Sequence, residues 1–185
     1  MRTAKICLAG TAAAAMVGFL AAPAAAAPTD TTTVTFEVEA GTLDIDAPAT
    51  ADLGSGAPGG TITGQLGPVT VTDSRGAADA SWVATVTATV FQTGGGTPAE
   101  TVEASLIDYW SGPATTATTG TGTFTPGQAN AAAAEALDSV DPLIAFTHTG
   151  GTGGNTATWD PTLIVNVPLD SIAGVYTGTV THSVA

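Results

Sequence analysis

His148 and His182 are the only imidazoles in the chain, and imidazole is the side chain most suited to moving a proton near neutral pH. Neither stands in a pattern that hydrolysis requires. There is no Gly-x-Ser-x-Gly elbow and no His-Glu-x-x-His motif. His182 follows the alternation of Tyr176, Gly178, Val180 and Val184, which predicts a side chain on one face of a terminal strand. His148 lies beside the glycine run 150–154 and reads as an exposed loop residue. Asp44 and Asp46 are two apart, so on a strand they face the same way, as a glycosidase acid and its partner would have to converge. A chain with 16 acidic residues contains such pairs by chance, and only 5% of its residues are aromatic, too few for a convincing sugar platform.

The other acids suit a different chemistry. Asp73, Asp79, Asp138 and Asp141 fall in or near turns, and calcium takes hard oxygen ligands of that kind. No EF-hand spacing is present, so calcium has no preferred site and a solvated acidic surface is the default reading. A phosphate-binding loop of the Gly-x-x-x-x-Gly-Lys type would need a lysine, and the only one is Lys5. Gly94, Gly95 and Gly96 precede Thr97-Pro98 rather than a helix, so they form no dinucleotide fingerprint.

The positive charge is as informative as the negative. Arg2 and Lys5 open the chain, an apolar run follows to about Ala22, and Ala24 to Ala27 supply small residues suited to cleavage. This is the pattern of a secretory signal peptide, expected to span 1–26. The run is short and alanine-rich for a membrane span, and no second run of spanning length follows. Cleavage would remove Arg2, Lys5 and Cys7. Residues 27–185 would keep Arg75 as their one basic residue against 16 acidic ones, a side-chain charge of −15. That balance opposes binding to nucleic acid phosphates. With no cysteine left, thiol chemistry and cysteine-ligated metals are excluded there. Asp73, Arg75 and Gly76 are read as a structural turn, with Arg75 pairing to a carboxylate.

The elements that would position these residues read as β. Threonine is the commonest residue of 27–185, roughly one in five, and the branched side chains of threonine and valine favour the pleated sheet. Val34, Phe36 and Val38 alternate with polar residues, and Leu43 with Ile45 continue the pattern. Val69 and Val71 repeat it. Trp82, Ala84, Val86, Ala88 and Val90 line one face of the clearest strand. Residues 143–147, 163–167 and 175–184 are three further strands. Glycine and proline clusters at 54–60, 94–96, 111–113 and 150–154 predict the turns between them. Residues 115–125 read as a loop or hairpin edge. Residues 130–140 alone have helical character. The expectation is one all-β domain over 27–185, an immunoglobulin-like β-sandwich of mostly antiparallel strands with one short connecting helix.

Several of these segments, in order, resemble the WxL domain of Gram-positive cell-surface proteins. Val69-Thr-Val-Thr-Asp-Ser-Arg-Gly76 is followed by Trp82-Val-Ala-Thr-Val-Thr-Ala88, like the family's strand, Asp-x-Arg-Gly turn and Trp-led strand. Trp159-Asp-Pro-Thr-Leu-Ile-Val-Asn-Val-Pro168 and Ala173-Gly-Val-Tyr-Thr-Gly-Thr-Val-Thr181 resemble its closing pair of strands. The defining motif departs from the pattern: the first Trp-x-Leu position is Trp82-Val83-Ala84, and the second, near residues 181–184, has no Trp. The resemblance implies a secreted, non-catalytic protein held non-covalently at the cell wall by peptidoglycan binding. No Leu-Pro-x-Thr-Gly sorting signal is present for covalent anchoring.

Two roles follow as expectations. One is wall-polymer binding by exposed aromatic residues, with Trp82, Tyr109, Trp110, Trp159 and Tyr176 as the candidates. Trp82 and Trp159 read at the same time as core anchors. The other is an interaction module that binds a partner surface protein by a sheet edge or an aromatic patch. A hydrolase would instead need a cleft in which His148 or His182 meets a carboxylate and a hydroxyl.

Overall fold

The structure, a computed structural model, describes residues 27–185. The expected leader 1–26 therefore lies outside the described residues. Residues 27–36 are irregular and exposed. Every strand belongs to the unit 37–185. Among the described residues the strands are β1 (Leu43–Asp46), β2 (Thr61–Gln65), β3 (Val69–Asp73), β4 (Trp82–Ala88), β5 (Phe91–Gln92), β6 (Thr101–Val102), β7 (Ile107–Trp110), β8 (Thr123–Pro126), β9 (Glu135–Ala136), β10 (Leu143–Thr149), β11 (Asn155–Trp159), β12 (Thr162–Asn166) and β13 (Val180–Val184).

All pairings are antiparallel. Three sheets have the orders β1-β3-β11, β13-β4-β10-β8 and β2-β12-β7-β9, and β5 with β6 forms a small ribbon. The first and third sheets share two chain segments. β2 runs into β3 and β11 into β12, and each pair of strands remains in register across a corner. At that corner three residues, Leu66, Gly67 and Pro68, oppose two, Asp160 and Pro161. Proline cannot donate to the ladder, so the two prolines sit where pairing is interrupted and the strands change sheet.

Alternation decides which face is buried. Trp82, Ala84, Val86 and Ala88 of β4 point inward, as do Val69 and Val71 of β3 and Ala157 and Trp159 of β11. Ile107, Tyr109, Phe146 and Leu163 complete a single core to which all three sheets contribute. The fold is all-β, with antiparallel sheets and short 3-10 turns.

Three expectations need correction. Residues 130–140 form no helix: a 3-10 turn at Ala131–Ala133 ends in β9. A helix there would bury one large apolar side chain, Leu137, against the cost of nucleation. The extended form buries Leu137 too, and lets its N–H donate to the Ile107 carbonyl at 2.8 Å. Residues 34–38 form no strand, although the alternation is intact. Their backbone finds no ladder among the described residues, and an unpaired strand has no stability of its own. The last strand begins at Val180, not 175.

Candidate functional site

Two regions gather the residues of interest. The first is a closed polar knot built on the turn after β3. Asp73 is buried at the end of β3, and Arg75 folds back on it. The guanidinium donates from Nε to Oδ1 at 3.0 Å and from Nη2 to Oδ2 at 2.8 Å, a two-point grip on the carboxylate. The Arg75 backbone N–H donates to Oδ1 as well, at 2.9 Å. The hydrogen bonds from the Arg75 side chain are the main reason the Asp73 carboxyl is held below its ordinary range. Nη2 also donates to the Ser81 carbonyl at 3.0 Å, tying the turn to the start of β4.

The knot continues inward. The Asn155 amide donates to Asp73 Oδ2 at 3.4 Å and accepts the Trp82 indole N–H at 2.8 Å. Trp82 thus has its one polar atom satisfied inside the core. His148 is buried in β10, with Nδ1 and Nε2 each 2.9 Å from a carbonyl oxygen, of Ala80 and Thr121. Its ring stacks on Phe124, with centroids 4.3 Å apart. The expected exposed loop position is therefore wrong. β10 extends to Thr149, and alternation turns His148 inward beside Trp82. The loop 150–154 closes over the turn so tightly that a Cβ on Gly153 would collide with the Arg75 carbonyl.

His182 lies elsewhere, on the inner face of β13, as its alternation predicts. The Trp159 indole donates to the Tyr109 hydroxyl at 3.1 Å, and that hydroxyl stands 3.2 Å from His182 Nε2. Either partner of the Tyr109–His182 contact can be the donor, according to which imidazole nitrogen carries the proton. Burial pushes the His182 pKa down to about 4 and raises that of Tyr109.

The second region is an open seam. β1 is an edge strand of one sheet and β13 of another. Residues 47–58, which follow β1, and residues 171–180, which lead into β13, stand as two walls of a groove of about 850 Å³. The groove is continuous with a smaller chamber of about 300 Å³ through Leu53, Phe91 and Gly178, and that chamber reaches His182. Val102, Val165 and Val167 line the groove, and Ile172, Val175 and Tyr176 stand on its outer wall. No backbone hydrogen bond joins the two walls among the described residues. Ser171 also lines the groove, and its buried hydroxyl has no partner.

The five aromatic candidates divide between these environments. Trp82, Tyr109 and Trp159 are buried in the core and present no face to a ligand. Trp110 and Tyr176 are half-buried and reach the surface. They stand apart, on β7 and on the seam wall. The Tyr176 hydroxyl is already engaged with the carbonyls of Ala99 and Ile172, at 3.0 and 2.9 Å.

The turn acids are committed locally. Asp79 accepts from the Ser81 hydroxyl at 2.6 Å, and Asp138 accepts the N–H of Val140 at 2.7 Å. Those bonds hold both carboxyls below their ordinary range. Among the described residues no three His, Cys, Asp or Glu side chains converge as metal ligands. Asp44 and Asp46 do share the exposed face of β1.

Asn155 and Leu53 are absent from the sequence reading. Asn155 could have been found from the alternation Asn155, Ala157, Trp159, which puts it on the buried face. Leu53 carries no such signal, because it sits in a glycine- and alanine-rich segment without period. The sequence matches no family model and no curated protein. Among the described residues no helix is long and apolar enough to cross a membrane.

Proposed function

We propose that this chain is an exported, non-catalytic binding domain of the cell surface, a WxL-like immunoglobulin-like β-sandwich that engages a partner surface protein through its open seam. The observation that carries the reading is the seam itself: two walls that do not bond to each other, over an aliphatic floor. An extended segment of a partner would add main-chain hydrogen bonds along the walls and place alternate side chains on the floor. The histidines support the non-catalytic part. His148 is sealed between backbone carbonyls, and His182 faces a buried phenol rather than a carboxylate.

Direct peptidoglycan binding is the second reading. It rests on Trp110 and Tyr176, the two aromatic candidates that reach the surface. One pelleting experiment separates the two, using the secreted protein with intact walls, protease-treated walls and walls stripped of secondary polymers, each with calcium or chelator. Partner binding predicts pelleting with intact walls that is lost after protease treatment and in Val175→Asp. Pelleting with stripped, protease-treated walls, lost in Trp110→Ala, would favour peptidoglycan. Absence of pelleting under every condition would sink both.

A further inference from the structure

The seam has a deeper part. The chamber of about 300 Å³ joins the groove at Leu53, Phe91 and Gly178 and reaches the buried side chains of Val69 and Leu163. Its lining is small or apolar except for three threonines and the imidazole of His182, and no carboxylate or cation lines it among the described residues. The outer wall is fixed from behind. Thr177 exchanges backbone hydrogen bonds with Gln92 at 2.9 and 3.0 Å, and the Thr89 N–H donates to the Thr179 carbonyl at 2.9 Å. A Cβ on Gly178 would strike the Phe91 ring, and one on Gly64 would strike Leu53. The throat is therefore shaped before anything enters it. With the backbone of this wall already bonded, recognition falls to side chains.

His182 sets what the chamber can hold. Nε2 stands 3.2 Å from the Tyr109 hydroxyl, and Nδ1 has no hydrogen-bond partner among the described residues. Burial keeps the ring uncharged at neutral pH. A charged group buried against this lining would find no counter-ion, which is costly. A hydroxyl suits Nδ1 in either tautomer, because it can donate or accept. Among protein side chains that carry a hydroxyl, serine and threonine would leave most of the chamber empty. Tyrosine brings a ring to cover the aliphatic wall and carries its hydroxyl at the far end.

We propose that the seam takes a tyrosine side chain of its partner surface protein, with the ring in the chamber and the hydroxyl on His182. The inference rests on the reading of the seam as a partner-binding site and goes beyond it by naming the anchor. The partner's backbone lies in the groove of about 850 Å³, over the floor of Val102 and Val165. Tyrosine is among the residues that most often dominate an interface by filling a pocket, and its two side-chain rotors cost little to freeze.

An NMR titration of the secreted protein, followed on the His182 imidazole and on the methyls of Val69 and Leu163, reads the chamber directly. The probes are p-cresol, toluene, and the N-acetyl amides of tyrosine and phenylalanine. p-Cresol is expected to shift all these signals with a Kd on the order of millimolar. It should bind about tenfold more tightly than toluene, the effect of one added hydrogen bond. The blocked tyrosine should exceed the blocked phenylalanine by the same factor. His182→Phe keeps a ring in place and should erase both preferences. Ala51→Trp, at an exposed position that lines both groove and chamber, should abolish binding of every probe with an unchanged thermal midpoint. The same variant should weaken pelleting with intact walls by on the order of tenfold or more. No shift with p-cresol, equal affinity for p-cresol and toluene, or binding of p-cresol without binding of the blocked tyrosine overturns the inference. Pelleting that survives Ala51→Trp overturns it too, and if Val175→Asp still abolishes that pelleting, the seam reading stands without the tyrosine. Pelleting unaffected by either variant removes both.

Discussion

The knot at one end of β3 and the seam beside β1 are built from opposite materials. The knot buries the Asp73 carboxylate and the Asn155 amide and satisfies them, through Arg75 on Asp73 and Asn155 on Trp82. The seam holds aliphatic side chains and leaves its backbone unpaired across the gap. A satisfied polar network has one low-energy arrangement and no affinity left to offer. An apolar groove with free main-chain groups can gain from a ligand what it lacks alone. The Asp-Ser-Arg-Gly turn, read from the sequence as structural, is the closed end, and the segments around Leu53 and Val175 line the open groove.

Substitutions should separate the two ends cleanly. Trp82→Ala removes a fully buried ring and orphans the Asn155 amide, and is expected to cost about 3–5 kcal/mol, measured by urea unfolding. Arg75→Met leaves Asp73 buried without its partner. The expected loss is roughly 2–4 kcal/mol, at the lower end of values for broken buried pairs because the guanidinium is partly exposed.

Acid should act in two stages. The folded pKa of His182, about 4, lies below its ordinary value of 6.5, so the unfolded chain takes up that proton first as pH falls. Its stabilisation is full above about pH 6.5 and is lost progressively down to about pH 4, at most on the order of 3 kcal/mol. The Asp73 pKa is lowered too, which for an acid favours the charged form: its stabilisation is present above its ordinary 3.8 and is lost as pH falls through its lowered folded value. A His182→Asn variant should lose the first stage and keep the second, in unfolding curves taken across pH 3–7. Loss of both stages would mean that the two groups are not independent.

The smallest effect belongs to the seam. Val175 is 84% exposed, so Val175→Asp should change stability by no more than about 0.5 kcal/mol while abolishing seam binding. A large destabilisation there would mean that the groove is a closed part of the core, and the contrast between the two ends would fail.

Much of the fold was legible in the residues. Trp82 to Ala88 alternate without a fault, and the inward set is buried as expected. Arg75 had to pair, being one cation among so many carboxylates, and it pairs two residues away. Other features were not legible because a local pattern is silent about partners. Residues 34–38 have the same period as β4 and no strand beside them. His148 lies next to a glycine run, yet β10 carries it one residue beyond Thr147 and turns it inward. Residues 130–140 are rich in alanine, but burial of Leu137 and a ladder to β7 outweigh helix propensity.

By itself the sequence determined the all-β class, the inward faces of the long strands and the pairing of Arg75. These depend on alternation and on charge count, which are properties of neighbours along the chain. Only the tertiary structure decided that Tyr109, Trp82 and Trp159 are sealed in, that Asn155 completes the knot, and that the walls before β13 and after β1 do not bond to each other. Those outcomes depend on which edges meet in space, and contacts between residues 50 to 82 positions apart leave no local trace in the order of side chains.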